Sequence, residues 1–461
     1  MAGETIEKTR ELVSAQLVAD DRRLNLVRRR ERFYNNFWLI PAAFLLGALL
    51  LALATRRIDE SLGPVGATTP PWIVSASGAG IVLSTLATAM LTFLGVVFSI
   101  GLVALQLASQ QFSPRVLRNY VRTTTTKVAL GTFIATFIYP LFSLGYLDEI
   151  ARGGHPDRST VAVAVAMVLA VASITVFIAY VTLTIRGMRI AYAISTVAAE
   201  TSRALDQVFP ADGPTAAVTR PELGAPHRVV VYRTKAASLG AHLGQGMLQA
   251  VDAAACVRLA REHDCLVRLT PQIGQYVGNG EPLFELYAGP GGPSSLPADA
   301  ELLRTVDIGP ERAVYRDPFY GVRALVDVAA QALSPAVNAP TTAVQVLDRL
   351  QDFLRQLARR PWPTGLFADR DGRPRLVIAM RSWDQFVDLA LTEITEFGGG
   401  SPQVTRRIAS LLESLKPVVP DERRAVLVRH ETMLAEAVAQ RVASYRALTE
   451  VALEPDARGL G

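Results

Sequence analysis

Four long apolar segments lie in the first part of the chain, and they constrain its fold more than any other feature. They cover residues 37–54, 76–108, 128–147 and 161–185 of 461. An α-helix needs about 20 consecutive apolar residues to cross the hydrocarbon core of a bilayer, so the second segment is longer than one crossing requires. The rest of the chain has the ordinary periodicities of amphipathic helices and strands. We therefore predict four transmembrane helices followed by a large domain outside the membrane.

Charged residues beside the apolar segments predict the orientation of the chain. Cations are concentrated before the first segment, between the second and third, and after the fourth. They include Arg28, Arg29, Arg30, Arg32, Arg115, Arg118, Arg122, Lys127, Arg186 and Arg189. The other two connections have fewer cations and contain Asp59, Glu60, Asp148, Glu149 and Asp157. Because cationic flanks stay on the cytoplasmic side, we expect both termini to lie in the cytoplasm.

The second apolar segment carries a stripe of uncharged polar and small residues. They recur at steps of three, four or seven, which places them on one face of a helix. This polar stripe consists of Ser84, Thr88, Thr92, Gly95, Ser99, Gln106 and Gln110. Such side chains can line a water-filled ion pathway, and they are equally typical of a face along which membrane helices pack closely. No charged residue or histidine lies within the four apolar cores, which argues against a pump or an antiporter.

Composition and periodicity divide the chain into five parts. We predict a basic cytoplasmic arm at 1–36, a four-helix transmembrane domain at 37–188, a helix and linker at 189–226, a small β-rich module at 227–298 and a mainly helical cytoplasmic region at 299–461. The fold class is thus an α-helical membrane protein with a cytoplasmic α+β domain.

A glycine-rich turn gives the β-rich module its most specific pattern. The stretch G-Q-Y-V-G-N-G-E-P-L at 274–283 resembles the G-x-x-V-x-x-G-x-P-L pattern of barrel-sandwich folds, such as biotinyl and lipoyl carrier domains. The resemblance implies a barrel-sandwich-like fold. The carriers present a modifiable lysine on a hairpin, and the nearby Lys235 lies outside such a context, so we expect no carrier role and no cofactor.

Residues for catalysis or metal binding do not form a recognisable pattern. Cys256, His263 and Cys265 have the spacing C-x6-H-x-C, which is not a standard zinc motif, so we expect two free thiols and no metal. A Walker A loop, a nucleophile elbow and a strand-led G-x-G-x-x-G are absent from the sequence. The net charge is +5, but arginine and acidic residues are mixed along the second half. We therefore expect neither an enzyme nor a nucleic-acid-binding protein.

A polar cluster in the helical region is a candidate ligand site or interface. Its members are Arg323, Asp327, Ser334, Asn338 and Asp348. Asn338 precedes Pro340 at a predicted helix start, so capping of that helix is the alternative interpretation of its amide. The same region contains one predicted strand, at 376–380.

Three stretches resemble a known family. They are G-V-V-F-S-I-G-L-V-A-L-Q-L-A-S-Q-Q-F-S-P-R-V-L-R-N-Y at 95–120, D-P-F-Y-G-V-R-A-L-V-D at 317–327, and A-L-S-P-A-V-N-A-P-T-T-A at 332–343. The chain thus resembles the bacterial predicted membrane proteins grouped as domain of unknown function 2254. Members usually read N-D-P where this chain has Asn338, Ala339 and Pro340, so the carboxylate at the middle position is missing here. The resemblance implies a bacterial inner-membrane protein and no particular activity.

Two hypotheses about function follow from these observations. The first is an oligomeric, channel-like protein whose second transmembrane helix lines an ion pathway and whose cytoplasmic domain regulates it. Four spans are too few to enclose such a pathway in one subunit, so its partners would be the bilayer, ions and further copies of the chain around a cyclic axis. The second is a membrane scaffold or sensor that transports nothing and binds a ligand or protein through the cytoplasmic domain.

Overall fold

The computed structural model describes two separate units of the chain. The described residues are 38–61, 76–111, 124–153, 160–187, 189–210, 222–233, 246–289, 292, 296–309, 312 and 317–442. One unit lies within residues 29–193, and the other begins at Ile194. The predicted basic arm at 1–36 lies outside the described residues, as do residues 211–221 of the predicted linker.

Four long apolar helices form the first unit. They are α1 (Leu39–Ser61), α2 (Ala76–Gln111), α3 (Thr124–Gly153) and α4 (Thr160–Gly187). Each is long and apolar enough to cross a membrane, in agreement with the four predicted spans. Helix α3 packs against each of the other three, and half of its apolar stretch is buried, so it forms the centre of this membrane unit.

Polar side chains join the helices inside the membrane unit. The Tyr139 hydroxyl of α3 donates a hydrogen bond to Thr55 Oγ1 of α1 at 3.0 Å. The Asp59 carboxylate accepts hydrogen bonds from the backbone amides of Val161 and Ala162, both at 3.1 Å. Asp59 therefore caps α4 from the neighbouring helix. Its assignment to a connection was wrong, because α1 continues beyond the apolar segment and ends at Ser61.

Two β-sheets lie near the start of the second unit. The larger has the strand order β1 (Arg228–Val231), β5 (Pro282–Ala288), β3 (Cys265–Leu269), β8 (Pro374–Ile378), β7 (Leu366–Ala368). The smaller has the order β4 (Tyr276–Val277), β2 (Gly246–Val251), β6 (Val306–Gly309). Strands β3 and β8 are parallel, and the other neighbouring pairs are antiparallel.

The two sheets share one hydrophobic core. Leu248 and Val277 of the smaller sheet are buried in one cluster with Phe284 and Leu376 of the larger sheet, and helix α6 (Ala253–Glu262) contributes to the same cluster. Strands β6, β7 and β8 complete the sheets although they follow the module predicted at 227–298. The strand predicted at 376–380 corresponds to β8. The second unit is therefore a mixed α+β structure in which the β-rich part and the helical part are joined.

Helices form the remainder of the second unit. They are α5 (Ile190–Val208), α7 (Asp299–Leu303), α8 (Pro318–Leu333), α9 (Pro340–Ala358), α10 (Trp383–Gly398), α11 (Pro402–Leu415) and α12 (Ala425–Val442), with a short 3₁₀ helix at Asp421–Arg423. Helix α8 packs against α9 and α10, α9 packs against α11, and α10 packs against α12. An aromatic cluster centred on Phe386 joins these layers; its ring contacts Phe319 and Phe209 at centroid distances of 5.2 and 5.9 Å.

Helix α5 follows the last membrane helix and packs closely on α8. It begins at Ile190, shortly after α4 ends at Gly187. Thr201 of α5 is buried, and a Cβ at Gly321 of α8 would overlap its side chain. This glycine therefore permits the close approach of the two helices.

Candidate functional site

The polar stripe lies on the face of α2 that points away from the rest of the membrane unit. Its members from Ser84 to Gln106 are all exposed, whereas the side chain of Gln110 lies outside the described residues. The buried residues of α2 are Ala79, Leu83, Ala87, Met90, Val97 and Ala104. At 3.6 residues per turn, the centres of the two sets are about 160° apart around the helix. Packing within the same unit therefore does not account for the stripe.

Hydroxyl groups of the stripe are satisfied by the backbone of their own helix. Ser84 donates to the carbonyl of Ile81 at 3.0 Å, Thr88 to that of Ser84 at 2.9 Å, and Thr92 to that of Thr88 at 3.2 Å. Such bonds reduce the cost of placing a hydroxyl next to hydrocarbon, and each oxygen keeps a lone pair for another donor or a cation. The stripe can therefore face lipid, another helix or water.

Among the candidate residues of the second unit, the charged ones occupy two separate ion-pair networks. Arg323 of α8 binds both carboxylate oxygens of Glu393 on α10, and its Nε lies 2.8 Å from Asp327 Oδ1. Asp348 of α9 instead pairs with the buried Arg407 of α11 at 2.7 Å. Each network connects neighbouring helices, so the structure assigns these charges a role in helix packing.

The two uncharged candidates form the turn between α8 and α9. Ser334 ends α8, and its hydroxyl donates to the carbonyl of Gln331 at 2.7 Å. Asn338 has a φ of +44°, a left-handed conformation that asparagine tolerates better than most residues. Helix α9 starts at Pro340 after Ala339, and no side chain caps it. The alternative interpretation, in which Asn338 caps this helix, was therefore wrong.

A charged cluster that the sequence did not indicate lies at the start of α8. Asp317 is 8% exposed; its Oδ1 accepts a hydrogen bond from the Tyr320 amide at 3.2 Å, and its Oδ2 is buried without a hydrogen-bond partner. The Arg381 guanidinium lies over the ring of Phe319, 4.5 Å from the ring centroid, and its Nε is likewise buried and without a partner. Arg312 also lies beside Asp317.

The electrostatics of this cluster reflect burial of unlike charges. Burial raises the pKa of Asp317, although the Tyr320 amide, Arg312 and Arg381 each act to lower it. Burial likewise lowers the pKa of the Arg381 guanidinium, against the effect of Asp317. The cluster contains two guanidinium groups and one carboxylate, so it carries excess positive charge when all three groups are ionised.

The turn at 274–283 meets the D-P-F-Y-G motif in this cluster. Gly274 has a φ of +82°, and a Cβ at this position would collide with Asp317 Oδ2 and lie 3.2 Å from Arg312 Nε. Asp317 was visible in the sequence only as the first residue of a motif, where an aspartate before proline predicts a helix cap. Its contacts with Gly274 and Arg381 join distant parts of the chain, whereas Arg312 lies only five residues before it.

The two cysteines are buried, free thiols. Cys256 Sγ lies 3.0 Å from Thr305 Oγ1. Burial raises the pKa of Cys256 to about 12 and that of Cys265 to about 11, so both thiols are protonated at neutral pH. Neither is therefore suited to act as a nucleophile.

Comparisons with known proteins identify the family. The family model described as "Predicted membrane protein (DUF2254)" matches residues 34–414. The chain is 31% identical over 363 residues to "Uncharacterized protein Rv1290c" of Mycobacterium tuberculosis and, equally, to "Uncharacterized protein Mb1321c" of Mycobacterium bovis; the match covers 78% of this chain and 68% of each relative. No solved structure matches the chain. The protein therefore belongs to the predicted membrane protein family DUF2254.

Proposed function

We propose that the protein is an oligomeric, channel-like protein of the bacterial inner membrane, with the polar stripe of α2 lining an ion pathway between subunits. The observation that carries the proposal is the direction of the stripe. A helix face that points away from its own unit meets lipid or another subunit, and the lone pairs that its hydroxyl and amide oxygens keep gain more from another subunit or from water than from lipid. Copies arranged around a cyclic axis would bring several stripes together.

Uncharged oxygens suit a passive pathway. Hydroxyl and amide oxygens can replace part of the hydration shell of a cation without binding it too tightly to leave. Charged residues in the described spans lie near helix ends, as with Asp59, which caps α4. The proposal therefore involves no proton relay, no bound cofactor and no enzymatic step.

A regulatory role for the second unit completes the proposal. Helix α5 follows the fourth span directly in the chain, and its Thr201 packs against Gly321 of α8. A shift of α8 would therefore displace α5, the helix that follows the fourth span in the chain. We place this unit and both termini in the cytoplasm, and the barrel-sandwich likeness of its turn at 274–283 remains our prediction for the β-rich part.

Ion flux through purified protein in liposomes tests the pathway. The variant Ser99→Leu adds an apolar side chain within the stripe and should reduce flux several-fold or abolish it. Val96→Leu is the matched control, because Val96 is an exposed apolar residue of the same helix away from the centre of the stripe. Val96→Leu should leave flux unchanged. Equal flux in the two variants would contradict the assignment of the pathway to the stripe.

The second hypothesis is a scaffold or sensor without transport. The observation that favours it is the satisfaction of the stripe hydroxyls by backbone carbonyls, which lets the stripe serve as a packing seam between subunits. In that case folded wild-type protein gives no flux in any salt, and Ser99→Leu changes the oligomeric state measured by light scattering. A strictly monomeric particle in mild detergent would exclude both the pathway and the seam.

A further inference from the structure

His430 of helix α12 is a buried histidine whose two ring nitrogens have different surroundings. Its side chain is only 1% exposed. Nε2 lies 2.8 Å from Asp388 Oδ1 on α10, whereas Nδ1 is buried and has no hydrogen-bond partner. Because an ionised carboxylate can only accept hydrogen bonds, Nε2 carries the proton and donates to Asp388. The neutral ring, with an unprotonated Nδ1, therefore fits this site.

A second proton on His430 would have no acceptor. It would bind Nδ1 and leave a buried N–H group without a partner, which folded proteins avoid. Charge opposes the second proton as well. Arg429 pairs with the same Asp388 oxygen at 2.6 Å, so these two charges already balance. An imidazolium would therefore add an uncompensated positive charge at a buried position.

The other elements that pack against α12 are α11 and the short 3₁₀ helix, and their charges are paired elsewhere. The ion pairs are Lys416–Glu413, Lys416–Glu431 and Asp421–Arg424, each with an N–O distance of 2.6 Å. The Arg423 guanidinium lies over the ring of Trp362, 4.9 Å from its centroid. The charged groups that act on His430 are Asp388 and Arg429.

Acid therefore favours the separation of α12 from α10. Nδ1 is closed to water while the two helices are packed, so the second proton binds once α12 has moved away and then stabilises the open state. Burial lowers the pKa of His430 in the packed state; Asp388 acts to raise it and Arg429 to lower it. A lowered histidine pKa gives stability that is fully present above the unfolded value of about 6.5 and is lost as the pH falls below it.

We propose that the contact between His430 and Asp388 is acid-sensitive: it holds α12 on α10 at neutral pH and releases the helix as the pH falls. Although burial acts to raise the pKa of Asp388, the bonds from Arg429 and His430 lower it. Asp388 therefore stays ionised over this range, and the imidazole is the group that titrates. The inference does not depend on the proposed ion pathway.

Hydrogen–deuterium exchange of the full chain in detergent, followed by mass spectrometry, tests the contact. Exchange is measured at about pH 7.5 and about pH 5, a range that spans the titration of histidine and lies above that of most carboxylic acids. Labelling times are adjusted for the intrinsic pH dependence of amide exchange. Protection of the α12 amides should fall about 10-fold at the lower pH, with about 30-fold as the limit for a ring that stays neutral when packed. Protection of α8 and α9 should be retained.

Two variants assign the effect to His430. His430→Gln keeps an N–H donor for Asp388 but cannot take up a proton, so the protection of α12 should no longer fall in acid. Arg429→Gln removes the competing cation from a half-exposed position, so Asp388 can balance the imidazolium and the fall should become smaller. His227→Gln is the control, since His227 is an exposed histidine just before β1, and it should respond to acid like the wild type.

Three results would overturn the proposal. They are equal protection of α12 at the two pH values, an acid response in His430→Gln as large as that of the wild type, and an equal loss of protection in α8, α9 and α12, which would indicate unfolding of the whole unit. If His430→Gln does not fold, an undiminished acid response in Arg429→Gln also contradicts the proposal. None of these measurements involves flux, so the acid-sensitive contact and the ion pathway can fail independently.

Discussion

Single carboxylates decide where two helices of this protein begin. Asp317 accepts a hydrogen bond from the amide of Tyr320 in its own helix, α8, whereas Asp59 accepts from two amides of a different helix, α4. Asp59 is only 4% exposed. A cap between two transmembrane helices both satisfies orphan amides and fixes the two helix ends side by side.

Replacement of Asp59 tests this cap. Asp59→Ala removes the acceptor for both α4 amides and should lower the free energy of unfolding by about 1–2 kcal/mol. The expected readout is a lower melting temperature of the detergent-solubilised full chain.

The variant Asp59→Asn serves as the control for the cap. Asparagine keeps an acceptor oxygen and caps helices about as well as aspartate, so its melting temperature should lie much closer to that of the wild type. If Asp59→Ala and Asp59→Asn have the same lowered melting temperature, the stabilisation arises from the negative charge of Asp59 and not from its hydrogen bonds.

At the scale of helices and strands, the sequence predicted which elements form more reliably than which elements meet. The four spans and strand β8 were placed from local pattern, since apolar runs and β-branched residues determine them. Local pattern did not predict that β6, β7 and β8 complete the sheets. A strand in a sheet gains its hydrogen bonds from residues far away in the chain. Asn338 shows the same limit, since its left-handed φ depends on how the turn joins α8 to α9.

The contact between α5 and α8 gives a prediction at this scale. Gly321→Val introduces a branched side chain where a Cβ already overlaps Thr201, so the two helices must separate. We expect a loss of about 1–3 kcal/mol in the free energy of unfolding, measured by denaturant titration with tryptophan fluorescence.

Gly224→Ala is the control for this experiment. A Cβ at Gly224 meets no atom within 4 Å, so this variant should unfold like the wild type. If Gly321→Val has the wild-type free energy of unfolding, then α5 and α8 can separate without loss of stability, which contradicts the prediction.

On the scale of the whole molecule, the charge distribution predicts the orientation in the membrane. Cations before α1, between α2 and α3, and after α4 favour the cytoplasmic side. Reporter fusions check this: alkaline phosphatase fused after Gly66, between α1 and α2, should be active, and the same enzyme at the C-terminus should be inactive. A green fluorescent protein at the C-terminus should fluoresce. The reversed pattern would overturn the orientation and place the second unit outside the cytoplasm.

The sequence by itself determined the number of spans, their positions and the family. A hydrocarbon core demands an uninterrupted apolar run of fixed minimum length, and such a run is a local property that any window along the chain reveals. The same holds for the spacing of the polar stripe, because a helix repeats every 3.6 residues whatever surrounds it.

Only the tertiary structure decided which side of α2 is buried and which charges are left without partners. The stripe could equally have faced α3, and its outward direction depends on how four helices pack. Asp317 lies beside Gly274 and Arg381, which are distant in the chain. The contacts between these segments determine whether the Asp317 carboxylate oxygens have hydrogen-bond partners. Burial and pairing are properties of long-range contacts, so local pattern does not contain them.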